Sequence, residues 1–512
     1  MSAGDFSVYQ SNLLRGQLLR TSGRHQQACQ YLRDAIQADP KQPQAYLELA
    51  LAQSNLPGNE GDALQAIDCA VALEPNSSHF LGYKSYLLER FGRHGDALEF
   101  AEQSLAINPR CRIAWLAQTN VYTVLKQWEQ AEFTARRMLE IDPGDTVALN
   151  LLAQAVRRQD RVEESRGVVV QVLAADPNDS FGQANAGYGA LKLKEFDEAD
   201  KHFLEALRND PNSSFARRGL ASVYNNRGLA KKKQGRVQEA LNDFEKALEI
   251  APDMAEAYYN RALVRHAEGA WNAAIADFDK AVELKPDFVD AYNDRGLARK
   301  AKGDLDAALA DFAKAIELVP GYASAYNNRG LVRRAQGKLD TALRNFNKAI
   351  ELKPDLPEAY YNRARLMVFQ KNLPAALRDF DTVIALRPEY VEAYNERGLV
   401  RRSQGNRGGA LADFEKAIQL KPTYAVPYNN RGLVRRLQGH LAVALPDFNK
   451  AIELDSKMPE AYYNRGLVRK AMRDTRGAIA DLEKALELKP DLAGARKNLN
   501  ALRARRMFSS WW

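Results

Sequence analysis

The stretch Ala325–Pro354, AYNNRGLVRRAQGKLDTALRNFNKAIELKP, decides the fold. Tyr326, Gly330, Ala342, Phe346 and Ala349 have near-copies before and after it at a spacing of 34 residues. Within the stretch the apolar positions form two helical pieces. Tyr326, Gly330 and Val332 mark a first helix, which Gly337 ends as a C-cap glycine. Leu339, Ala342, Phe346, Ala349 and Ile350 recur at steps of three and four, marking a second helix that Pro354 closes. Gly330 and Ala342 are small where two helices must approach closely, and Tyr326 and Phe346 are large enough to fill the space beside them.

Working outward, the closing proline recurs as Pro40, Pro75, Pro109, Pro143, Pro177 and Pro211, then as Pro252, Pro286, Pro320, Pro354, Pro388, Pro422 and Pro490. Ser456 stands at the missing beat, and one extra residue falls in the loop Leu56–Gly61. Fourteen units result, followed by a last helical segment near Leu492–Met507. Pro374, Pro427 and Pro446 are expected near helix starts, where a missing N–H matters least.

One such hairpin cannot bury its own apolar face, so it must stack on its neighbours. The unit resembles the tetratricopeptide repeat, a helix–turn–helix of 34 residues. The resemblance is strong from Val223 to Pro490 and looser in units two to five, where the place of Gly330 holds Ala50, Ser85, Thr119 and Ala153. It implies an all-α, right-handed superhelical solenoid of about fourteen repeats with a C-terminal capping helix.

One interval breaks the beat. Pro211 to Pro252 is 41 residues, seven more than a unit, and no breaker lies between Ser214 and Lys233. Seven residues add about 10 Å of helix and return the side chains to within about 20° of their former direction. One continuous helix over Ser214–Lys233 is therefore expected. The organisation reads as a divergent array over 1–211, a seam over 212–235, a near-identical array over 236–490, and a capping helix with an aromatic tail over 491–512. Charge changes sign at the seam: 21 Lys and Arg against 28 Asp and Glu before residue 212, then 52 against 37, so −7 becomes +15. Late natural duplication of the second array, or an engineered fusion of two repeat proteins through a shared helix, would each produce this seam.

The overall charge of +8, with 46% hydrophobic and 27% charged residues, suits a folded soluble protein. No membrane span is expected, because no run of 18 apolar residues occurs. The opening MSAGDFSVYQSNLLRG has no signal-peptide pattern, and Cys29, Cys69 and Cys111 are scattered, which points to a reducing, cytoplasmic setting. His25, His79, His94, His202, His266 and His440 stand singly without HExxH, so no metal or other cofactor is expected. Gly187-Tyr188-Gly189 lacks a preceding strand and reads as tight helix packing. The turn Gly405–Gly409 has no Walker lysine in register and reads as an interhelical loop. Catalysis is not expected.

The ladders carry more. Arg227, Arg261, Arg295, Arg329, Arg363, Arg397, Arg431 and Arg465 share one place, and Asp243, Asp277, Asp311, Asp379, Asp413, Asp447 and Asp481 share another, with Asn345 the exception. The arginines could form a phosphate stripe. The resemblance implies an inward-looking place, so a repeated Arg–Asp bridge is the preferred reading. The next place reads Asn226, Asn260, Asp294, Asn328, Asn362, Glu396, Asn430 and Asn464. By resemblance it faces the concave groove, where an amide can pair with an extended peptide backbone, as in the asparagine ladder of the O-linked N-acetylglucosamine transferases. Alternatively these amides pair with a neighbouring repeat. Two turns along stand Lys232, His266, Lys300, Arg334, Val368, Arg402, Arg436 and Lys470, which would favour an acidic or phosphorylated guest.

The chaperone-tail branch of the family needs asparagine where this chain has Leu263, Leu297, Leu331, Leu399, Leu433 and Leu467, so that ligand is not expected. One unit departs from the rest: RARLMVFQK, Arg363–Lys371, brings Met367, Val368 and Phe369 where neighbours carry cations, and packing is the preferred reading. The tail MFSSWW, Met507–Trp512, is read as docking on the last helix or fraying.

The leading functional reading is a non-catalytic scaffold that holds an extended, acidic peptide segment in the C-terminal groove, the N-terminal array serving a separate protein partner. The alternatives are an architectural rod that self-associates, and nucleic-acid binding by the +15 half. Interleaved acids such as Glu256, Asp290, Glu358, Glu392 and Glu460 argue against nucleic acid.

Overall fold

The 34-residue beat is realised as pairs of antiparallel helices. The structure, a computed structural model, describes residues 3–509, with side chains from 6 to 504. Among them are 29 α-helices and no strand: fourteen pairs and a last helix, Ala493–Ser509. The fold is an all-α superhelical solenoid. The unit quoted above is the pair Ala323–Ala335 and Leu339–Leu352. The side chains of Met507–Trp512 lie outside the described residues. No described helix is long and apolar enough to cross a membrane.

The chain forms two compact units, Met1–Asn260 and Arg261–Trp512. In the first, the helix Ser214–Lys233 runs without interruption for 20 residues. Ser213 caps it, its hydroxyl accepting from the Ala216 N–H at 3.3 Å, and Gly235 leaves its far end at φ 75°. Insertion of seven residues lengthens the helix by two turns and keeps its apolar face in phase. Ala216, Leu220 and Val223 consequently stay on the buried side with Gly228.

From Phe203 to Phe448 a phenylalanine ring fills the same place of successive helix pairs. Phe203, Phe244, Phe278, Phe312, Phe346, Phe380, Phe414 and Phe448 are each 0% exposed. Opposite Phe346 lies Gly330, where an added Cβ would come within 2.6 Å of the ring. The close approach therefore requires a very small residue, and Ala262 and Ala364 mark the upper size at that place. The looser N-terminal units trade volume the other way. Ser85 and Thr119 replace the glycine, while Ala101 and Ala135 stand in the place of the ring. Buried Ser85 Oγ donates to the Ala97 carbonyl at 2.6 Å and Thr119 Oγ1 to Trp115 at 2.7 Å, so neither hydroxyl is left without a partner.

Turns between paired helices use a left-handed residue. Gly337 has φ 74°, and in other units Lys371 (φ 60°) and Arg473 (φ 67°) occupy its place. A side chain there is strained. Lys371→Gly is expected to raise stability by up to about 1 kcal/mol, read as a higher urea midpoint at unchanged slope. Pro374 and Pro427 do sit in first turns, but Pro446 is the sixth residue of Leu441–Leu454 and interrupts its backbone bonding there. In the aberrant unit, Met367 and Val368 pack against the cluster around Phe380, whereas Phe369 is 73% exposed. Gly187 does mark tight packing, since a Cβ would meet Phe203 at 2.9 Å. Of Gly405–Gly409 only Gly405 and Asn406 lie between helices, whereas Arg407–Gly409 open the helix Arg407–Leu420, which Asn406 caps through the Gly409 N–H.

Candidate groove site on the first helices

Arginines on the first helices and acids on the second meet inside the stack. Arg261 donates through Nε and Nη2 to both oxygens of Asp277 at 2.9 and 2.7 Å. The same fork joins Arg227 to Asp243, Arg295 to Asp311, Arg363 to Asp379, Arg397 to Asp413, Arg431 to Asp447 and Arg465 to Asp481. A planar guanidinium matches a carboxylate edge to edge, and a tyrosine ring beside it, such as Tyr292 at 5.2 Å from Arg295, takes one face. A second cation shares the acid: Arg299 with Asp311, Arg401 with Asp413, Arg435 with Asp447 and Arg469 with Asp481. Sequence reading missed this second arginine, although its regular recurrence was visible.

Where the acid is Asn345, Arg329 keeps only one bond, Nε to Oδ1 at 2.7 Å, and Arg333 turns to Gln336. Burial then pushes the Arg329 guanidinium below its ordinary value. Beside Arg227 and Lys231, burial alone would raise Asp243, yet their hydrogen bonds hold it below the usual carboxylate range.

The asparagines of the groove ladder face a neighbouring repeat. Asn260, Asn328, Asn362, Asn430 and Asn464 are all 9% exposed or less. Each donates from Nδ2 to an asparagine Oδ1 of the preceding unit: Asn225, Asn293, Asn327, Asn395 and Asn429, at 2.9 to 3.0 Å. Asn327 in turn donates to Asn328, and Asn293 to Asp294, so the amides join into one directional chain from Asn362 to Asp294. One amide donor is thereby held within the stack instead of being offered to a guest. Asn226 alone of these asparagines is exposed. The accepting residues escaped the sequence reading. Their signal is a correlation at 35 residues: Tyr361 interrupts the asparagines, and Glu396 stands where an amide would have donated to it.

The cations two turns along behave differently from the bridged arginines. Lys300, Arg334, Arg402 and Arg436 are half-buried, and among the described residues none has a carboxylate partner. Burial pushes all four below their ordinary values, with Arg334 adding to the effect on Lys300 and Arg365 to that on Arg334. Lys470 donates to Asn498 Oδ1 at 2.7 Å. Leu331 packs against Phe346 and Leu366, so it belongs to the wall behind the cations.

Models described as TPR repeat match residues 263–303, 296–334, 330–368 and 398–439, and models described as tetratricopeptide repeat match 10–52, 221–254 and 459–492. Tetratricopeptide repeat protein 6 of Homo sapiens is 28% identical over 134 residues, 26% of this chain. That match spans 25% of the relative's length. Among solved structures, the chain is similar to the APC/C hetero-tetramer Cut9-Hcn1, 16% identical over 98% of this chain and 96% of that one, with TM-score 0.43. It is also similar to yeast Tom70, 19% identical over 89% and 99%, with TM-score 0.40. YrrB, a TPR protein with an unusual peptide-binding site, is 25% identical over 36% of this chain and 96% of its own, with TM-score 0.32. With the repeat matched in both compact units and built as fourteen helix pairs, the chain belongs to the tetratricopeptide repeat family.

Proposed function

We propose that the C-terminal repeats are a non-catalytic scaffold that holds an extended acidic peptide segment along their first helices. Tetratricopeptide repeat proteins are in general protein–protein interaction scaffolds. The observation that carries the finer reading is the row Lys300, Arg334, Arg402 and Arg436, half-buried and without acids, one place away from arginines that are all bridged or capped. A partly desolvated cation without a counter-charge is unfavourable, and an anion from a guest removes that penalty. Packed helices lie about 8–10 Å apart and an extended chain rises about 3.3 Å per residue, so acids at every third guest residue meet successive cations. Val368 divides the row into two pairs. In this reading Asn260, Asn328, Asn362, Asn430 and Asn464 fix the register of the first helices and do not touch the guest.

A fluorescent peptide with glutamate at every third residue tests this by anisotropy at low salt. Each of Arg334→Ala, Arg402→Ala and Arg436→Ala is expected to weaken binding about five- to tenfold, corresponding to about 1–1.4 kcal/mol, and a glutamine version of the peptide should not bind. Equal capture by the triple variant would sink the proposal. Tighter binding of a single-stranded oligonucleotide than of the peptide would favour the nucleic-acid alternative.

A further inference from the structure

Within the unit Met1–Asn260, a cavity of about 470 Å³ lies between the helices Thr146–Arg158, Ser180–Lys192 and the last turns of Ser214–Lys233. Its lining carries four cationic side chains, Arg157, Lys192, Lys194 and Lys233, and no acidic one. Asp160 pairs with Lys192 at 2.5 Å, whereas Lys194 and Lys233 have no ion pair among the described residues.

Arg157 is the unusual member. It is 6% exposed, and neither Nε nor Nη2 has an acceptor. These two nitrogens form the edge with which Arg261 grips both oxygens of Asp277. Counted back from the closing prolines Pro177 and Pro354, Arg157 holds in its unit the place that Arg334 holds in its own. One guanidinium face lies 4.7 Å from the ring of Tyr188. That ring cannot swing away: Phe203 meets it edge-on at 4.9 Å, Phe215 leans on it at 4.7 Å, and its hydroxyl donates to the Phe215 carbonyl at 3.1 Å. Burial, with Arg158 adjacent, pushes the Arg157 guanidinium down to about 10, so it stays charged at neutral pH.

A charged fork buried to this degree is ordinarily paired. We propose that this cavity binds a small-molecule carboxylate carried on an apolar body, with the carboxylate on the Nε/Nη2 edge of Arg157 and the body against Phe196 and Leu229. That edge is closed to water in this structure, so binding requires the guanidinium to rotate until the edge meets the cavity. Exposed Asn226 contributes a further amide at the wall, and Lys194 and Lys233 draw anions toward it. Carboxylate fits better than phosphate. Its two oxygens match the fork, and its single charge neutralises the one buried cation, whereas a phosphate dianion would leave an excess buried charge.

Isothermal titration of the full chain with 3-phenylpropionate, 3-phenylpropanamide and phenyl phosphate tests the assignment. The carboxylate is expected to bind saturably and raise the wild-type Tm, the amide to do neither, and phenyl phosphate to bind more weakly. Arg157→Met, which keeps the volume and removes the charge, should bind about a hundredfold less tightly, and its own Tm without ligand should equal or exceed wild type. Arg157→Lys keeps the charge without the fork and should lose about tenfold; it carries the comparison if the methionine variant does not fold. Equal binding of acid and amide, unchanged affinity in either variant, tighter binding of phenyl phosphate, or no saturation by about 10 mM would each overturn the proposal.

Discussion

Phe346→Ala is expected to lower the stability of the C-terminal unit by about 3–5 kcal/mol. The ring is 0% exposed and packs with Ala342 and Leu366, each also 0% exposed. Backbone, not a flexible side chain, stands at Gly330 opposite, so the space left by the ring cannot easily collapse. In a solenoid each repeat contacts only its neighbours, so the loss should be local. Native-state hydrogen exchange should show reduced protection in Ala323–Ala335, Leu339–Leu352 and Pro357–Phe369, with the far repeats unchanged. Phe346→Leu should cost less, under about 1.5 kcal/mol, because Leu482 fills the same place in the last unit, fully buried opposite Gly466. A loss below about 1 kcal/mol for the alanine variant, well short of a buried-ring cavity, would show that the ring is not what holds adjacent units together.

Asp413→Ala should be comparably damaging, for an electrostatic reason. Asp413 is 2% exposed and accepts from Nε and Nη2 of Arg397 and from Nη1 of Arg401. Removing it leaves two partly buried cations with only the half-exposed Asp381, 2.6 Å from Arg397 Nη1, as a counter-charge, a loss of about 3 kcal/mol, the lower end for breaking a buried pair. Asp413→Asn should cost less, because the protein already contains that arrangement at Asn345, where Arg329 keeps one bond and Arg333 turns elsewhere. Urea unfolding of both variants gives the comparison. Should the alanine variant lose under about 1 kcal/mol, the bridges would be acting as solvent-screened surface pairs. Replacing all three members by apolar residues should recover much of the loss, since buried ion pairs are weakly stabilising as wholes yet costly to break.

Much of this was legible in the chain. The period, the two helices of Ala325–Pro354 and the small Gly330 opposite the large Phe346 follow from spacing and volume, and the pairing of Arg329's column with the acids from the family resemblance. Helix Ser214–Lys233 has the bounds that the absence of breakers allows. The role of Asn328 was less legible. Its residue type suits a peptide guest and a neighbouring amide equally, and which partner it meets depends on how far one first helix is displaced along the next. That displacement brings Asn293 to 2.9 Å. Correlated changes 35 residues apart, Tyr259 with Asp294 and Tyr361 with Glu396, carried its trace in the sequence.

Arg157 marks the limit. As a letter in a divergent unit it is one arginine among several, and alignment on Pro177 places it with Arg334. Its burial, its unpaired edge and its stacking on Tyr188 depend on neighbouring helices, and Asn226, Leu229, Ala230 and Lys233 of the lengthened helix line the same cavity. The sequence by itself determined the repeat and its internal bridges, because those depend on contacts within one unit, whose geometry the 34-residue pattern specifies. Tertiary structure alone decided which polar groups are satisfied between units and which cations lack a partner, because those depend on the offset between stacked helices, a quantity that no single repeat encodes.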